Sequence, residues 1–165
     1  MRFTLLVILF LLLLSPTSFY GQSDQRIMLY DPQANASAQI DSVVTLAKAK
    51  GKHVLLQVGG NWCSWCIRFH NFCQNDARLD SILKADYILL KVNYSRENTN
   101  DEVMDRLDFP QRFGFPVFVV LDGEGNRLHT QDSGYLELEG SYDRNKVELF
   151  FRNWSHKALN PATYR

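Results

Sequence analysis

His53-Val54-Leu55-Leu56-Gln57-Val58-Gly59-Gly60-Asn61-Trp62-Cys63-Ser64-Trp65-Cys66 carries both the clearest strand signal and the densest chemistry of this 165-residue chain. The run from His53 to Val58 is almost continuously apolar and is closed by two glycines, which reads as a buried central strand rather than a half-exposed one. The cysteines follow at the start of a helix, with two residues between them. At that spacing they can close a tight disulfide, and the first lies where unpaired backbone N–H groups and the helix dipole stabilise a thiolate. Cys63 is thus the expected nucleophile. Cys66, one turn further in, is expected to face the protein and to attack the mixed disulfide once Cys63 has joined a substrate sulfur.

Other readings of the pair stay open at this point. Cys63 and Cys66, with or without His70, could hold a soft ion such as Cu(I), or form half of a zinc site, but ligands would have to converge from elsewhere. One helix cannot wrap Cys63, Cys66, His70 and Cys73 around a single tetrahedral ion, because the segment is roughly 15 Å long at 1.5 Å per residue. A redox-silent interaction domain would keep the disulfide only as a brace. Haem attachment is excluded, since Ile67 and not His follows Cys66. Cys73 reads as a buried, inert thiol and His70 as a partly exposed histidine.

Working outward, Asn35 is a plausible N-cap for a helix with Ile40, Val43, Val44 and Ala47 on one face, ending near Gly51. Asp86 to Asn93 is a second buried strand. Thr99 and Glu102 have the spacing of a capping box before a short helix carrying Val103, Met104 and Leu107. Val117 to Leu121, the turn-rich Asp122-Gly123-Glu124-Gly125-Asn126, and Arg127 to Gln131 predict a β-hairpin. A last helix from about Asp143 places Val147, Phe150, Phe151 and Trp154 on one stripe, and the tail from Ser155 reads as frayed. This order predicts an α/β sheet whose first strands are parallel and which ends in an antiparallel hairpin.

Composition bounds the partners. With 18 basic and 18 acidic residues the chain is neutral, so nothing marks it for nucleic acid or an anionic membrane surface. At 45% hydrophobic and 22% charged it is an ordinary globular sequence, and three cysteines are too few for a disulfide-stapled scaffold. Residues 1–21 read as a secretory signal peptide: Arg2, an apolar run from Phe3 to Leu14, then Ser15-Pro16-Thr17-Ser18, with cleavage near Gly21. The run is shorter than the roughly 20 residues a membrane span needs; an uncleaved anchor is the alternative. Residues 22–165 are then a periplasmic or secreted domain with an N-terminal helical extension.

The buried strand, the Gly59-Gly60-Asn61-Trp62 turn, Cys63-x-x-Cys66 opening a helix, and Phe115-Pro116 opening a later strand together resemble the thioredoxin superfamily. The similarity runs from about His53 to Trp154 and is greatest to secreted bacterial thioredoxin-like proteins, including the thioredoxin-like domain of thiol–disulfide interchange transporters. It implies a three-layer α/β sandwich, a central mixed sheet with helices on both faces. It further implies thiol–disulfide oxidoreductase activity on protein disulfides, with no bound cofactor or metal and with an upstream redox partner that recharges the dithiol. Catalysis falls to Cys63 and Cys66. Trp62, Trp65, Phe115 and Pro116 line the substrate side, Pro116 as a cis-proline and Phe115 offering its backbone to an extended substrate segment. Lys91 falls where family members often carry a lysine beneath the site. Two departures bear on mechanism. The buried acid that usually precedes the first cysteine by six residues is Gln57 here, so Cys66 must rely on water or another group for deprotonation. Ser64-Trp65 stands between the cysteines, where the intervening pair tunes redox potential. The likeness to the interchange-transporter domain tilts the reading toward a reductant.

Overall fold

The computed structural model describes residues 28–165, so the signal-peptide reading falls outside the described residues. In chain order the elements are α1 (Ala36–Lys50), β1 (His53–Gly59), α2 (Ser64–Asn75), α3 (Ala77–Asp86), β2 (Tyr87–Asn93), α4 (Asp101–Arg106), β3 (Val117–Leu121), β4 (Arg127–Asp132), the two-residue strands β5 (Glu137–Leu138) and β6 (Ser141–Tyr142), and α5 (Arg144–Asn153). Short 3₁₀ turns stand at Pro110–Phe113, Ser133–Leu136 and Pro161–Tyr164.

The main sheet has the order β2-β1-β3-β4. β1 runs parallel to β2, with His53 opposite Tyr87 and Gly59 opposite Asn93, and antiparallel to β3, with Val54 opposite Leu121 and Val58 opposite Val117. Flanked on both edges and covered on both faces, β1 is buried along its whole length, which is why its sequence is nearly continuous in apolar residues. β3 and β4 form the expected hairpin, with a register irregularity at Val120 and Leu121.

The pleat divides the core into two layers. Val54, Leu56, Val58, Val117, Val119 and Leu121 pack against Ala36, Ile40 and Ala47 of α1 and against Val103 and Met104 of α4. Leu55, Phe118 and Val120 point the other way, toward Phe69 and Cys73 of α2, Leu79, Ile82 and Leu83 of α3, and Val147, Phe150 and Phe151 of α5. This is the three-layer sandwich that the family resemblance implies. The helix before β1 forms part of a core layer. Its start is capped by Asn35 Oδ1, which accepts from Ala38 N at 3.0 Å, and Gly51 closes its end in the left-handed conformation.

Some local expectations are corrected. The Thr99–Glu102 capping box does not form: Asn100 is the N-cap, at φ 49° with no side-chain cap bond. Its Nδ2 donates instead to Asn93 O at 2.7 Å, tying the start of α4 to the end of β2. The cysteine-bearing segment gives two helices, divided at Asp76, whose Oδ1 accepts from Arg78 N and Leu79 N. Asp86 ends α3, so the strand begins at Tyr87. Ser155, where fraying was expected to start, is buried and its Oγ donates to Arg152 O, whereas residues 159–165 are exposed. The β5–β6 hairpin was not anticipated, because strands of two residues carry no periodicity. Among the described residues no helix is long and apolar enough to cross a membrane.

Phe69 anchors α2, with its ring 4.4 Å from that of Phe118 and 5.0 Å from that of Tyr142, centroid to centroid. Phe69→Ala should cost about 3–5 kcal/mol in denaturant unfolding. Leu149→Ala, on the exposed side of α5, should stay within about 0.5 kcal/mol of the parent.

Candidate active site

The site is built where β1 ends. Gly59 passes so close beneath Cys66 that a Cβ there would overlap Cys66 Sγ and come within 3.0 Å of the Tyr30 hydroxyl. A Cβ on Gly60 would overlap the Trp62 indole and lie 2.9 Å from Tyr94 O. The two glycines thus let the turn close tightly enough to set Cys63 at the N-cap of α2. Cys63 and Cys66 are disulfide-bonded with Cα atoms 5.2 Å apart. Cys63 Sγ also accepts from Cys66 N at 3.1 Å, the position of a cap acceptor at a helix N-terminus. Cys66 is fully enclosed, whereas Cys63 retains 5% exposure.

Beneath the pair, the pleat turns Gln57 toward α2. Gln57 is buried, its Nε2 donates to Cys66 O at 3.1 Å, and its Oε1 accepts from Lys91 Nζ at 2.8 Å. An amide in the place of the expected acid therefore links Lys91 to the backbone of Cys66. Burial pulls the Lys91 ammonium down to about 8, partly opposed by neighbouring Cys73. Lys91, Gln57, His70 and Cys73 line a cavity of about 350 Å³ on this side. His70 is half-buried, and desolvation followed by the charge of Lys91 pushes its pKa down. Cys73 is buried and free, and burial pushes its thiol up to about 12.

On the outer side, Trp62 is 58% exposed. It is held by Nε1–H donation to Tyr94 O at 2.8 Å and meets the Phe115 ring edge-on at 5.3 Å. The Phe115–Pro116 bond is cis, as the family likeness implied. Trp65, expected on the substrate side, is folded back and half-buried. It stands edge-on to Tyr142 at 5.4 Å, under the Arg68 guanidinium at 4.5 Å. Tyr142 O–H donates to Trp65 O, and Arg68 donates to Gly140 O, so the β5–β6 hairpin fixes this side of α2.

Sequence reasoning missed the back wall. Tyr30, at 2% exposed, forms one buried cluster with Cys63 and Cys66. Asn61 clamps it: Oδ1 accepts from Leu29 N and Tyr30 N at 2.8 and 3.0 Å, while Nδ2 donates to Tyr30 O at 2.7 Å. An asparagine in the turn and a tyrosine two residues before Pro32 have no spacing that couples them. Tyr94, packed at a tilt against Phe115 with centroids 5.0 Å apart, was missed for the same reason. Among the described residues no group of three His, Cys, Asp or Glu side chains could hold a metal ion.

With its thiol raised so far, Cys73 should resist alkylation in the folded, reduced protein at neutral pH while Cys63 reacts, and should become reactive on unfolding. Peptide mapping after iodoacetamide treatment reads this directly.

Residues 40–141 match the family described as thioredoxin-like domain. The thiol:disulfide interchange protein DsbD of Ralstonia nicotianae is 26% identical over 119 residues, covering 72% of this chain and 19% of that protein. DsbD of Salmonella typhi is 34% identical over 80 residues, 48% of this chain and 14% of that protein. The chain therefore spans about a fifth or less of the length of these curated relatives. A solved structure described as disulphide isomerase from Xylella fastidiosa Temecula1 superposes with a TM-score of 0.67 at 22% identity, over 76% of this chain and 95% of that one. Sheet order, the Cys63–Cys66 pair at a helix start and the match over residues 40–141 agree, and the chain belongs to the thioredoxin-like domain family.

Proposed function

We propose that this chain is an exported thiol–disulfide oxidoreductase that reduces disulfides in protein substrates, with residues 1–21 as its leader and residues 22–165 as the working domain. The observation that carries the reading is the asymmetry of the pair: Cys63 caps α2 at the surface edge, while Cys66 is sealed beneath it. In the reducing direction, the Cys63 thiolate attacks one sulfur of a substrate disulfide, forming a mixed disulfide and expelling the other substrate sulfur as a thiolate. Cys66 then gives up its proton and attacks Cys63 Sγ. The Cys63–substrate bond breaks, the second substrate thiolate leaves, and two electrons have passed from the dithiol to the substrate. A dithiol donor must reduce Cys63–Cys66 again before the next turnover.

The side chains divide the work accordingly. Exposed Trp62 and the Phe115–Pro116 segment flank Cys63 and offer an apolar and backbone surface to an extended polypeptide. Lys91 supplies the basic group on the underside. Its ammonium is destabilised by burial, so the neutral amine that takes up the Cys66 proton is populated near pH 8. Among the described residues a soft-metal reading has the two thiolates to offer, since His70 and Cys73 line the cavity below and form no three-ligand group with them.

Three measurements test the proposal. The Cys63–Cys66 couple should titrate reversibly against dithiothreitol with a potential nearer the thioredoxin value of about −270 mV than the DsbA value of about −120 mV. An irreversible or silent pair would overturn the enzymatic reading. Cys63→Ser should abolish insulin-type disulfide reduction, and Cys66→Ser should accumulate the mixed disulfide. The neutral fraction of Lys91 grows as pH rises, so the resolving rate should climb through about pH 8 in the parent. In Lys91→Met that limb should be lost and the rate at pH 8 should fall by about tenfold or more.

A further inference from the structure

We propose that Tyr30 is a hydrogen-bond donor reserved for Cys66: its hydroxyl binds the Cys66 thiolate that forms when the Cys63–Cys66 bond breaks, making Cys66 a better leaving group. The inference rests on the thiol–disulfide reading above and deepens it. The carrying observation is an orphan. Tyr30 is 2% exposed, and among the described residues its hydroxyl has no hydrogen-bond partner in the disulfide state. A buried hydroxyl in that condition is costly and calls for a physical explanation.

What faces the hydroxyl explains it. Tyr30 Oη and Cys66 Sγ converge on the same point above Gly59, and Tyr30, Cys63 and Cys66 share one buried cluster. A disulfide sulfur is a poor acceptor, but a thiolate is an anion that accepts strongly. The Gln57 side chain lies near the phenol and opposes part of the effect of burial on its ionisation, but the geometry gives no Tyr30–Gln57 hydrogen bond, and Gln57 bonds Cys66 O and Lys91 Nζ instead. Burial holds the phenol protonated well above its ordinary range, so Tyr30 serves as a donor and not as a base. The position is built: the three Asn61 bonds hold the Leu29–Tyr30 backbone, and Asn98 Nδ2 donates to Pro32 O at 3.0 Å just beyond. The titratable groups around this pocket are Cys63 on α2, Lys91 on β2 with Nζ 5.8 Å from the Tyr30 ring centroid, and Tyr142 on β6, with His70 and Cys73 behind Lys91.

The step balances without consuming the tyrosine. An incoming thiolate attacks Cys63 Sγ, a new S–S bond forms to Cys63, the Cys63–Cys66 bond breaks, and its electron pair leaves on Cys66 Sγ. Tyr30 O–H donates to that anion and keeps its proton. In the opposite direction the same bond lowers the cost of deprotonating Cys66 for its attack on the mixed disulfide. In this fold the usual buried carboxylate would take the proton, whereas here a neutral donor stabilises the charge left behind.

Tyr30→Phe removes the hydroxyl and preserves the ring. In the dithiothreitol-reduced protein, the ¹³Cβ resonance of labelled Cys66 followed against pH should give a titration midpoint at least about one unit higher than in the parent, a tenfold change in the ionisation constant. Reduction of the oxidised variant by dithiothreitol should slow about threefold, following the dependence of exchange rate on leaving-group acidity. The unfolding midpoint of the oxidised form should not fall, since no bond is lost there. Replacing Tyr30 with 3-fluorotyrosine, a stronger donor, should move the Cys66 midpoint in the opposite direction, which a purely packing role would not do. An unchanged Cys66 midpoint in both variants overturns the proposal. Because this readout is taken on chemically reduced protein, it stands apart from the potential measurement: a silent couple defeats the enzymatic reading, whereas an unmoved Cys66 midpoint defeats only the role of Tyr30.

Discussion

The close approach of Gly59 to Cys66 Sγ is the constraint on which the rest of the site depends. The backbone at the end of a fully buried strand can pass directly under a helix only where no Cβ intervenes, and that passage holds Cys66 against the sheet while leaving Cys63 at the rim. The two cysteines therefore differ in access although they are neighbours on one helix turn. Asymmetry of this kind separates a reactive pair from a brace, because one sulfur must meet a partner while the other must be kept from it. Phe69, one turn further along, fixes the helix to the same face of the sheet through Phe118 and so transmits the rigidity of the core to the dithiol.

Electrostatics beneath the pair follow from a single amide. A carboxylate at Gln57 would pair with Lys91 and hold it charged. The amide accepts from Lys91 through one end and donates to Cys66 O through the other, leaving the lysine desolvated and its pKa depressed. The parallel register of β1 and β2 places Lys91 opposite Gln57, so the titratable group nearest this amide is a lysine on the next strand. Cys73 and His70 share the cavity, where burial raises the pKa of the thiol and desolvation lowers that of the imidazole.

Polar side chains also fix loops that hydrophobic patterning leaves undefined. Asn61 offers a carbonyl and an amide to the Leu29–Tyr30 backbone much as a neighbouring strand would, and so closes the back of the site. Asn100 gives up capping its own helix to hold the end of β2. Trp62 is pinned by its indole N–H and by Phe115, so its exposed face is presented in one orientation.

The strongly periodic elements were legible in the chain itself. The continuous apolar run of β1, the i, i+3, i+4, i+7 stripes of α1 and α5, the turn formers between β3 and β4, and the spacing of Cys63 and Cys66 each report a local preference that the fold satisfies. Gln57 was visible as a departure, though its partners were not. The division of α2 from α3 at Asp76, the β5–β6 hairpin, the displaced cap at Asn100 and the half-buried placement of Trp65 required the three-dimensional structure. So did the meeting of Tyr30 with Asn61 and Cys66, each more than thirty positions away from it. Periodicity records which face of an element is buried. It carries no information about which polar groups from distant segments meet at one point, because those pairings arise only when the layers pack and each buried donor must find an acceptor.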